Sequence, residues 1–228
     1  MKLPDNLYFL EDLRNRDRVY ADRTDAGRVL AGQLEACGLA DPHLLAVPAG
    51  GVPVAKAVAD ALGWPLTAAV VSKVLVPWNT EAGYGAVAWD GTVRLNQALL
   101  GRLGLSDEEV AAGLAVTRKK VAGRVRRMMG EGGMPPLAGH SAVLVDDGLA
   151  SGFTLLTAVA ALKKAAPARL VVAVPTGHRD AACRLAEEVD IVVCPNLRSR
   201  YPFAVASAYR QWRDVDEKEA ERVLAMVR

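Results

Sequence analysis

Short apolar runs and amphipathic segments alternate along much of the chain. The runs have the length of buried strands, and most are followed by apolar residues recurring every three or four positions, the spacing of one helix face. Strands are predicted at residues 44–47, 65–76, 141–145, 168–175 and 190–195. Helices are predicted at residues 22–37, 52–63, 153–166 and 178–188, with a last one from about Asp216. The pattern predicts an α/β fold, a doubly wound, mostly parallel sheet flanked by helices.

The middle of the chain departs from this alternation. Residues 77–83 are rich in turn formers and have little core character. Asp90-Gly91 lies between two β-prone runs within residues 84–95, which predicts a β-hairpin. A capping box at residues 106–109 opens a long helix, and the glycine- and proline-rich residues 130–136 end it.

Composition narrows the class of protein. The chain has 228 residues, 51% hydrophobic and 24% charged, enough for one domain over residues 1–228. Its formal net charge of +2 creates no field toward nucleic acid or membranes, and neither is expected as a partner. No apolar stretch approaches about 20 residues, and the charged N-terminus lacks a signal-peptide core. Cys37, Cys183 and Cys194 are typical of reduced thiols, so a cytoplasmic location is expected.

Two adjacent acids follow the predicted strand at 141–145. In a core, Asp146 and Asp147 would repel each other and cost free energy to desolvate. Ligands of open parallel sheets bind beyond the carboxyl ends of strands, which is where this pair falls. Carboxylates accept hydrogen bonds, and a vicinal diol supplies two donors at a matching separation. The pair is interpreted as a diol-binding site; the alternative makes Asp147 a turn or helix-capping residue.

A small-residue loop leads from the acids into the next predicted helix. Its residues are Ala150, Ser151, Gly152, Phe153 and Thr154. Small side chains let backbone N–H groups converge, two hydroxyls add donors, and the helix dipole favours an anion. A diol-binding pair followed by a phosphate loop describes a ribose 5-phosphate site. The alternative makes Ser151 only a helix N-cap.

The stretch VLVDDGLASGFT, residues 143–154, resembles the signature of the type I phosphoribosyltransferases. The resemblance implies binding of 5-phosphoribosyl 1-pyrophosphate (PRPP) with Mg²⁺, and transfer of its ribosyl phosphate to a nitrogen nucleophile, usually a nucleobase. It further implies that Asp146 and Asp147 hold the ribose hydroxyls at the reaction centre, and that residues 150–154 hold the 5-phosphate. Mg²⁺ is expected to arrive with PRPP, with the two acids as candidate side-chain ligands. A homodimer is the expected assembly.

A second stretch, VPAGGVPVA at residues 47–55, resembles the pyrophosphate loop of the same family. The resemblance assigns Ala49, Gly50 and Gly51 to pyrophosphate binding, because glycines let backbone N–H groups approach the leaving group. It also implies a cis peptide near Pro48-Ala49. Relatives often carry a basic or hydroxyl residue in place of Ala49, so this chain lacks the contact that such a side chain makes. The alternative is a plain strand-to-helix turn.

Residues 74–84 occupy the position of the family's flexible loop. Such a loop closes over the active site and excludes water, which would otherwise hydrolyse a ribosyl cation-like transition state. Lys73 and Glu81 flank this loop, and each contacts either substrate or solvent.

The family's choice of acceptor depends on a hood built from the chain ends. Here the hood corresponds to about residues 1–21 and 195–213, around a core of about 22–194. Its candidate lining residues, for which a plain surface position is the favoured alternative, are Arg198, Arg200, Tyr201 and Phe203. Enzymes for hypoxanthine or guanine usually carry an acid where this chain has Ala150, which weighs against a 6-oxopurine acceptor.

The predicted function is therefore a PRPP- and Mg²⁺-dependent phosphoribosyltransferase. The main alternative is a non-catalytic PRPP-binding or regulatory protein of the same fold, which Ala49 favours. Residues 117–127 offer a basic strip for nucleic acid, although its cations lie opposite an apolar stripe, as on any solvated helix. A phosphatase or receiver-like domain fits less well, because its acids would follow the first strand.

Overall fold

The central sheet of the protein is parallel throughout. The computed structural model describes residues 2–130 and 132–227, with Thr80 and Glu81 described by backbone alone. The strands of this sheet, numbered in chain order with those introduced below, are β1 (Leu7–Tyr8), β2 (Pro42–Ala46), β3 (Leu66–Ala68), β7 (Ser141–Val145), β8 (Arg169–Ala173) and β10 (Ile191–Val193). Their spatial order is β1-β10-β8-β7-β2-β3, and every pairing is parallel. The predicted doubly wound α/β fold is confirmed.

Helices cover both faces of this sheet. They are α1 (Arg23–Glu35), α2 (Gly51–Leu62), α3 (Gln97–Leu103), α4 (Asp107–Met128), α5 (Phe153–Lys163), α6 (Arg179–Ala186) and α7 (Glu217–Ala225). Side chains of α1, α2, α4 and α7 belong to the core on one face, and those of α5 and α6 to the core on the other. Among the described residues, none of the helices combines the length and the apolar character needed to cross a membrane.

Strand residues alternate between the two cores. In β2, Leu44 packs on the side of α1 and α2, whereas Leu45 packs on the side of α5. Val143 and Leu144 of β7 divide in the same way. Because both faces are covered, strands such as β7 are buried at all five positions, which is why the sequence shows continuous apolar runs.

The predicted strand at 65–76 is wrong in one respect. It consists of two strands, β3 in the parallel sheet and β4 (Val71–Val76) in a separate antiparallel sheet with β5 (Asn79–Ala88) and β6 (Val93–Leu95). The crossing at Ala69-Val70 is fully buried, so hydrophobicity does not drop where the chain changes sheets. Residues 77–83 also differ from the prediction, because β5 already begins at Asn79. The hairpin at Asp90-Gly91 is confirmed, with Gly91 at a positive φ of 85°.

The two chain ends meet beside the carboxyl end of the sheet. Tyr20 and Tyr209 form an isolated bridge, and the N–H of Arg18 donates to the carbonyl of Ser207 at 2.8 Å. The strand β1 lies in one of the segments predicted to form the hood, but it joins the main sheet. The strand β11 (Asn196–Arg198) pairs in parallel with β9 (Thr176–His178) to form a two-stranded sheet.

Candidate functional site

The site is built at the carboxyl ends of two adjacent strands, β2 and β7. Their last residues, Ala46 and Val145, are paired in register, so the loops that follow start side by side. The N–H of Val47 donates to the carbonyl of Val145 at 2.8 Å, which extends the pairing into both loops. The acid pair follows β7, and the glycine loop follows β2. Topology therefore brings together two motifs that lie almost 100 residues apart in sequence.

The glycine loop packs directly on the acid pair. A Cβ on residue 51 would lie 2.7 Å from the carbonyl oxygen of Val145 and 2.9 Å from the Cα of Asp146. A Cβ on residue 50 would overlap with the carboxylate of Asp147. Only glycine fits at this distance, so both glycines are required by their packing against the acid pair, and their role in pyrophosphate binding stays a prediction. The Pro48-Ala49 peptide is cis, as the resemblance implies, and the side chain of Ala49 packs on the adjoining core.

The two acids are partly buried and differ in their partners. Oδ1 of Asp146 accepts the N–H of Asp147 at 2.8 Å. Burial raises the pKa of the Asp146 carboxyl well above its ordinary value, and the charge of Asp147 raises it further. Burial also raises the pKa of Asp147, while the Arg23 guanidinium opposes that rise. The Arg23 guanidinium therefore favours the charged form of Asp147.

Asp147 is held by residues from both ends of the chain. Nε and a terminal nitrogen of Arg23 each lie 2.8 Å from Oδ2 of Asp147. The Tyr209 hydroxyl donates to the carbonyl of Asp147 at 2.6 Å. Asp147 is thus neither a plain turn residue nor a helix cap; its carboxylate is fixed within the site.

A cavity of about 180 Å³ opens over the acids and the small-residue loop. Its lining residues are Lys73, Asp146, Asp147, Gly148, Leu149, Ala150, Ser151, Gly152, Thr154, Leu155 and Val205. Four of the five predicted phosphate-loop residues line it; Phe153 does not, and it is instead the first residue of α5. The residues of the glycine loop also lie outside its lining. This cavity is the part of the site where a ligand can contact both acids and the phosphate loop.

The phosphate loop presents backbone donors to this cavity. The N-cap of α5 is Gly152, at φ 79°, and it has no side-chain cap, so the alternative of Ser151 as N-cap is wrong. Among the described residues, Leu156 is the first in α5 whose N–H reaches a helical acceptor, the carbonyl of Gly152 at 2.8 Å. The N–H groups of the loop and of the first helical turn are therefore left for an anion.

The predicted flexible loop is the tip of a β-hairpin. Residues 74–84 span the end of β4 and the start of β5, with register irregularities on both sides of Leu75. Lys73 lies on β4 and lines the cavity, and its charge opposes the raised pKa of Asp146. The side chain of Glu81 lies outside the part of the chain that the structure describes.

The four hood candidates separate into different environments. Arg198 lines neither cavity: its side chain is buried, pairs with Asp17 at 2.6 Å and lies over the Phe203 ring, 5.3 Å from its centroid. Arg200 is exposed. Tyr201 and Phe203 pack against the ring of His178, with centroid distances of 4.5 and 5.7 Å. These three rings line a second cavity of about 270 Å³, which adjoins the phosphate loop at Ala150 and Ser151.

Sequence reasoning missed Arg23 and Tyr209, which hold Asp147, and Trp212, whose ring centroid lies 3.9 Å from the guanidinium carbon of Arg23. One signal was present for Arg23. It is the first residue of α1, where a positive charge opposes the helix dipole, so a cation there needs a reason outside the helix. Tyr209 and Trp212 gave no such signal, because aromatic residues near a chain end are equally common in plain packing roles.

Comparison with known proteins agrees with the geometry. A family model described as "Phosphoribosyl transferase domain" matches residues 17–209. Two Mycobacterium tuberculosis proteins are 36% identical to the chain over 205 residues, which is 89% of this chain and 45% of each of them. They are named "Putative phosphoribosyl transferase MT0597" (strain CDC 1551 / Oshkosh) and "Putative phosphoribosyl transferase Rv0571c" (strain ATCC 25618 / H37Rv). The chain thus spans about half the length of these relatives.

A solved structure shares the fold at recognisable sequence identity. The crystal structure of TT1426 from Thermus thermophilus has a TM-score of 0.71 and 32% sequence identity to this chain. The match covers 91% of this chain and 98% of that one.

Proposed function

Since this chain belongs to the phosphoribosyl transferase family, we propose that it transfers the 5-phosphoribosyl group of PRPP to a nitrogen nucleophile, releasing pyrophosphate. A nucleobase is the expected acceptor. The observation that carries the proposal is a cavity lined both by two carboxylates and by a loop with open backbone N–H groups. These are the complementary groups for the hydroxyls and the phosphate of a ribose 5-phosphate.

In the proposed reaction, the bond from C1 of the ribose to pyrophosphate breaks and a bond from C1 to the acceptor nitrogen forms. Positive charge builds on the sugar between these events. The fixed carboxylate of Asp147, together with Asp146, orients the hydroxyls and stabilises that charge electrostatically. The phosphate loop holds the other end of the sugar. No nucleophilic side chain is needed, because the acceptor itself attacks.

The residues fit a Mg²⁺ ion that is carried by the substrate. In the described part of the chain, no cluster of three or more His, Cys, Asp or Glu side chains could hold a metal alone. Mg²⁺ commonly takes one or two carboxylates and completes its shell with substrate phosphates and water. Asp146 and Asp147 are the two carboxylates that this arrangement would use. When bound, the ion would neutralise charge on the departing pyrophosphate.

Two features of the site bear on the identity of the acceptor. Ala150 lines both cavities and offers no acid to an acceptor, which supports an acceptor other than a 6-oxopurine. The rings of His178, Tyr201 and Phe203 supply a stacking surface beside it. A cytoplasmic homodimer belongs to the same proposal.

The second candidate function is PRPP binding without turnover, in a regulatory protein. Ala49 favours it, because an alanine makes no side-chain hydrogen bond to a leaving pyrophosphate. The basic strip at 117–127 gives little support to a role in nucleic-acid binding. Arg124 is buried against Glu217, and Arg127 pairs with Glu217 and Glu221 of α7.

A thermal-shift experiment tests the proposal. PRPP with Mg²⁺ is compared with ribose 5-phosphate and with buffer, on the unsubstituted protein, D146N and a control, D60N, whose acid pairs with Lys56 on the surface. At 100 times Kd a ligand stabilises by about 2.7 kcal/mol. For a chain of this size that is a rise in Tm of about 5–10 °C. D146N should lose the rise and D60N should keep it.

A pyrophosphate-release assay with a panel of bases, run beside the thermal shift, separates the two candidate functions. No shift with millimolar PRPP overturns PRPP binding and therefore both candidates. A shift with pyrophosphate release in a panel of bases supports the transferase. A shift without release on any base favours the regulatory protein.

A further inference from the structure

Arg23 is buried at a position where helix α1 gains nothing from it. The residue occupies the first turn, where the helix dipole disfavours a cation. Its side chain is only 10% exposed, so the charge has also lost most of its hydration. Arg23 extends away from its own helix to the strand end of β7. The arrangement therefore indicates a role at Asp147.

The hydrogen bonds of the acid pair leave one free oxygen on each acid. Both nitrogens of Arg23 bind the same atom, Oδ2 of Asp147, at 2.8 Å. In Asp146, Oδ1 already accepts the N–H of Asp147. No other residue in the described part of the chain donates a hydrogen bond to Oδ1 of Asp147 or to Oδ2 of Asp146. Two separate acceptors, one from each acid, match the two donors of a vicinal diol.

The guanidinium of Arg23 is itself held on two further sides. Its remaining terminal nitrogen donates to the carbonyl of Arg213 at 2.8 Å. The indole of Trp212 lies against it, with the guanidinium carbon 3.9 Å from the ring centroid. Arg23 is fixed by the C-terminal segment and in turn restrains the Asp147 carboxylate, which would otherwise rotate freely about its χ2 torsion.

We propose that Arg23 is a positioning residue that holds Oδ2 of Asp147 and so presents Oδ1 of Asp147 and Oδ2 of Asp146 to the two ribose hydroxyls. The inference rests on the proposed function and deepens it, because it assigns the ribose preference of the site to a residue that does not line the ligand cavity. Trp212 and the Arg213 carbonyl hold Arg23 in the orientation this requires.

The test measures ribose preference instead of overall affinity. Ribose 5-phosphate and 2-deoxyribose 5-phosphate are titrated by calorimetry into the unsubstituted protein, R23Q, R23K and the control R198Q. Arg198 is a matched control, since it is equally buried and pairs with Asp17 without lining either cavity. The unsubstituted protein and R198Q should prefer the ribose form by about tenfold, the worth of one hydrogen bond to a charged group.

R23Q should bind both sugars with nearly equal affinity, while its affinity for the deoxy form changes less than about twofold, since the phosphate loop is intact. R23K keeps the charge but cannot place two N–H groups on one oxygen and a third on a carbonyl, so it should recover part of the preference. If R23Q fails to fold, which circular dichroism would reveal, R23K alone carries the test by the same comparison.

The outcomes distinguish a failure of the positioning role of Arg23 from a failure of the proposed function. A preference that survives in both Arg23 variants, or equal losses for the two sugars, overturns the positioning role and leaves the proposed function standing. Equal binding of both sugars by the unsubstituted protein overturns the diol site, and the proposed function with it.

Discussion

Gly50 and Asp147 are packed so closely that a methyl group on residue 50 would overlap with Oδ2 of Asp147. This is the same oxygen that Arg23 holds, so Oδ2 is enclosed between Gly50 and Arg23. Gly50 lies at φ −61° and ψ −35°, a conformation that any residue adopts. Glycine is therefore required at position 50 by the neighbouring Asp147 and not by the backbone conformation.

Replacing Gly50 by alanine should weaken PRPP binding at least about tenfold, because the methyl group must displace the Asp147 carboxylate from Arg23 and break a charge-assisted hydrogen bond. Calorimetric titration measures the loss. The matched control is G32A in α1, where a Cβ meets no atom within 4 Å. G32A should keep full affinity and raise stability by about 0.5–1 kcal/mol through helix propensity. Equal affinity in G50A and the unsubstituted protein would contradict the close-packing argument.

A second tight contact joins Gly148 to the chain end. A Cβ on residue 148 would overlap with both methyl groups of Val205. We expect G148A to cost about 1–3 kcal/mol of unfolding free energy through overpacking. V205A in the same chain should restore most of this cost, because it removes the overlapping methyl groups. Urea denaturation of the two single variants and the double variant measures the coupling, and simple additivity would show that the contact is not tight.

The raised pKa of Asp146 predicts a stability cost at neutral pH. Burial, and then the charge of Asp147, raise this pKa in the folded state above the unfolded value of about 3.9. The contribution of this carboxyl to the free energy of unfolding is therefore fully present below the unfolded pKa. It is lost as the pH rises through the folded pKa. D146N is neutral throughout and retains the oxygen that accepts the N–H of Asp147.

D146N should therefore raise Tm at pH 7.5 by about 2–4 °C, the shift that about 1 kcal/mol produces in a chain of this size. The rise should shrink toward zero near pH 4, where the acid is protonated too. Differential scanning calorimetry at the two pH values makes the comparison. A rise of the same size at both would show that ionisation of Asp146 is not its cause.

Among the ion pairs described for helix α7, those of Glu217 should stabilise the protein most. This carboxylate lies 3.3 Å from Nε of Arg124, whose side chain is only 7% exposed, and it also pairs with the half-exposed Arg127. E217Q should lower Tm by several degrees, because the buried Arg124 loses its countercharge. E221Q removes the pair with the half-exposed Arg127 and a weaker attraction to Arg124, and should lower Tm by about 2 °C or less. Equal effects of the two substitutions would show that Arg124 does not depend on Glu217.

The site residues differ in how far the sequence could predict them. Asp146, Asp147 and the phosphate loop were predictable because they are consecutive, and a strand, a loop and a helix follow one another there without interruption. Phe153 was included because it falls within the motif, but it begins α5 and does not line the cavity. Arg23 was not predicted, because its partner lies 124 residues away and no local pattern joins the two.

The sequence by itself determined the parallel sheet, its helices and the position of the acids at a strand end. The periodicity of buried residues and the residue preferences of turns act over a few positions, so short stretches of sequence are enough to predict them. Tertiary structure alone decided that β4 leaves the main sheet, that Gly50 packs on Asp147, and that Arg23 and Trp212 fix that carboxylate. These features depend on the order of strands in space and on the meeting of the two chain ends. The pattern of hydrophobic and charged residues along the sequence specifies neither of these two arrangements.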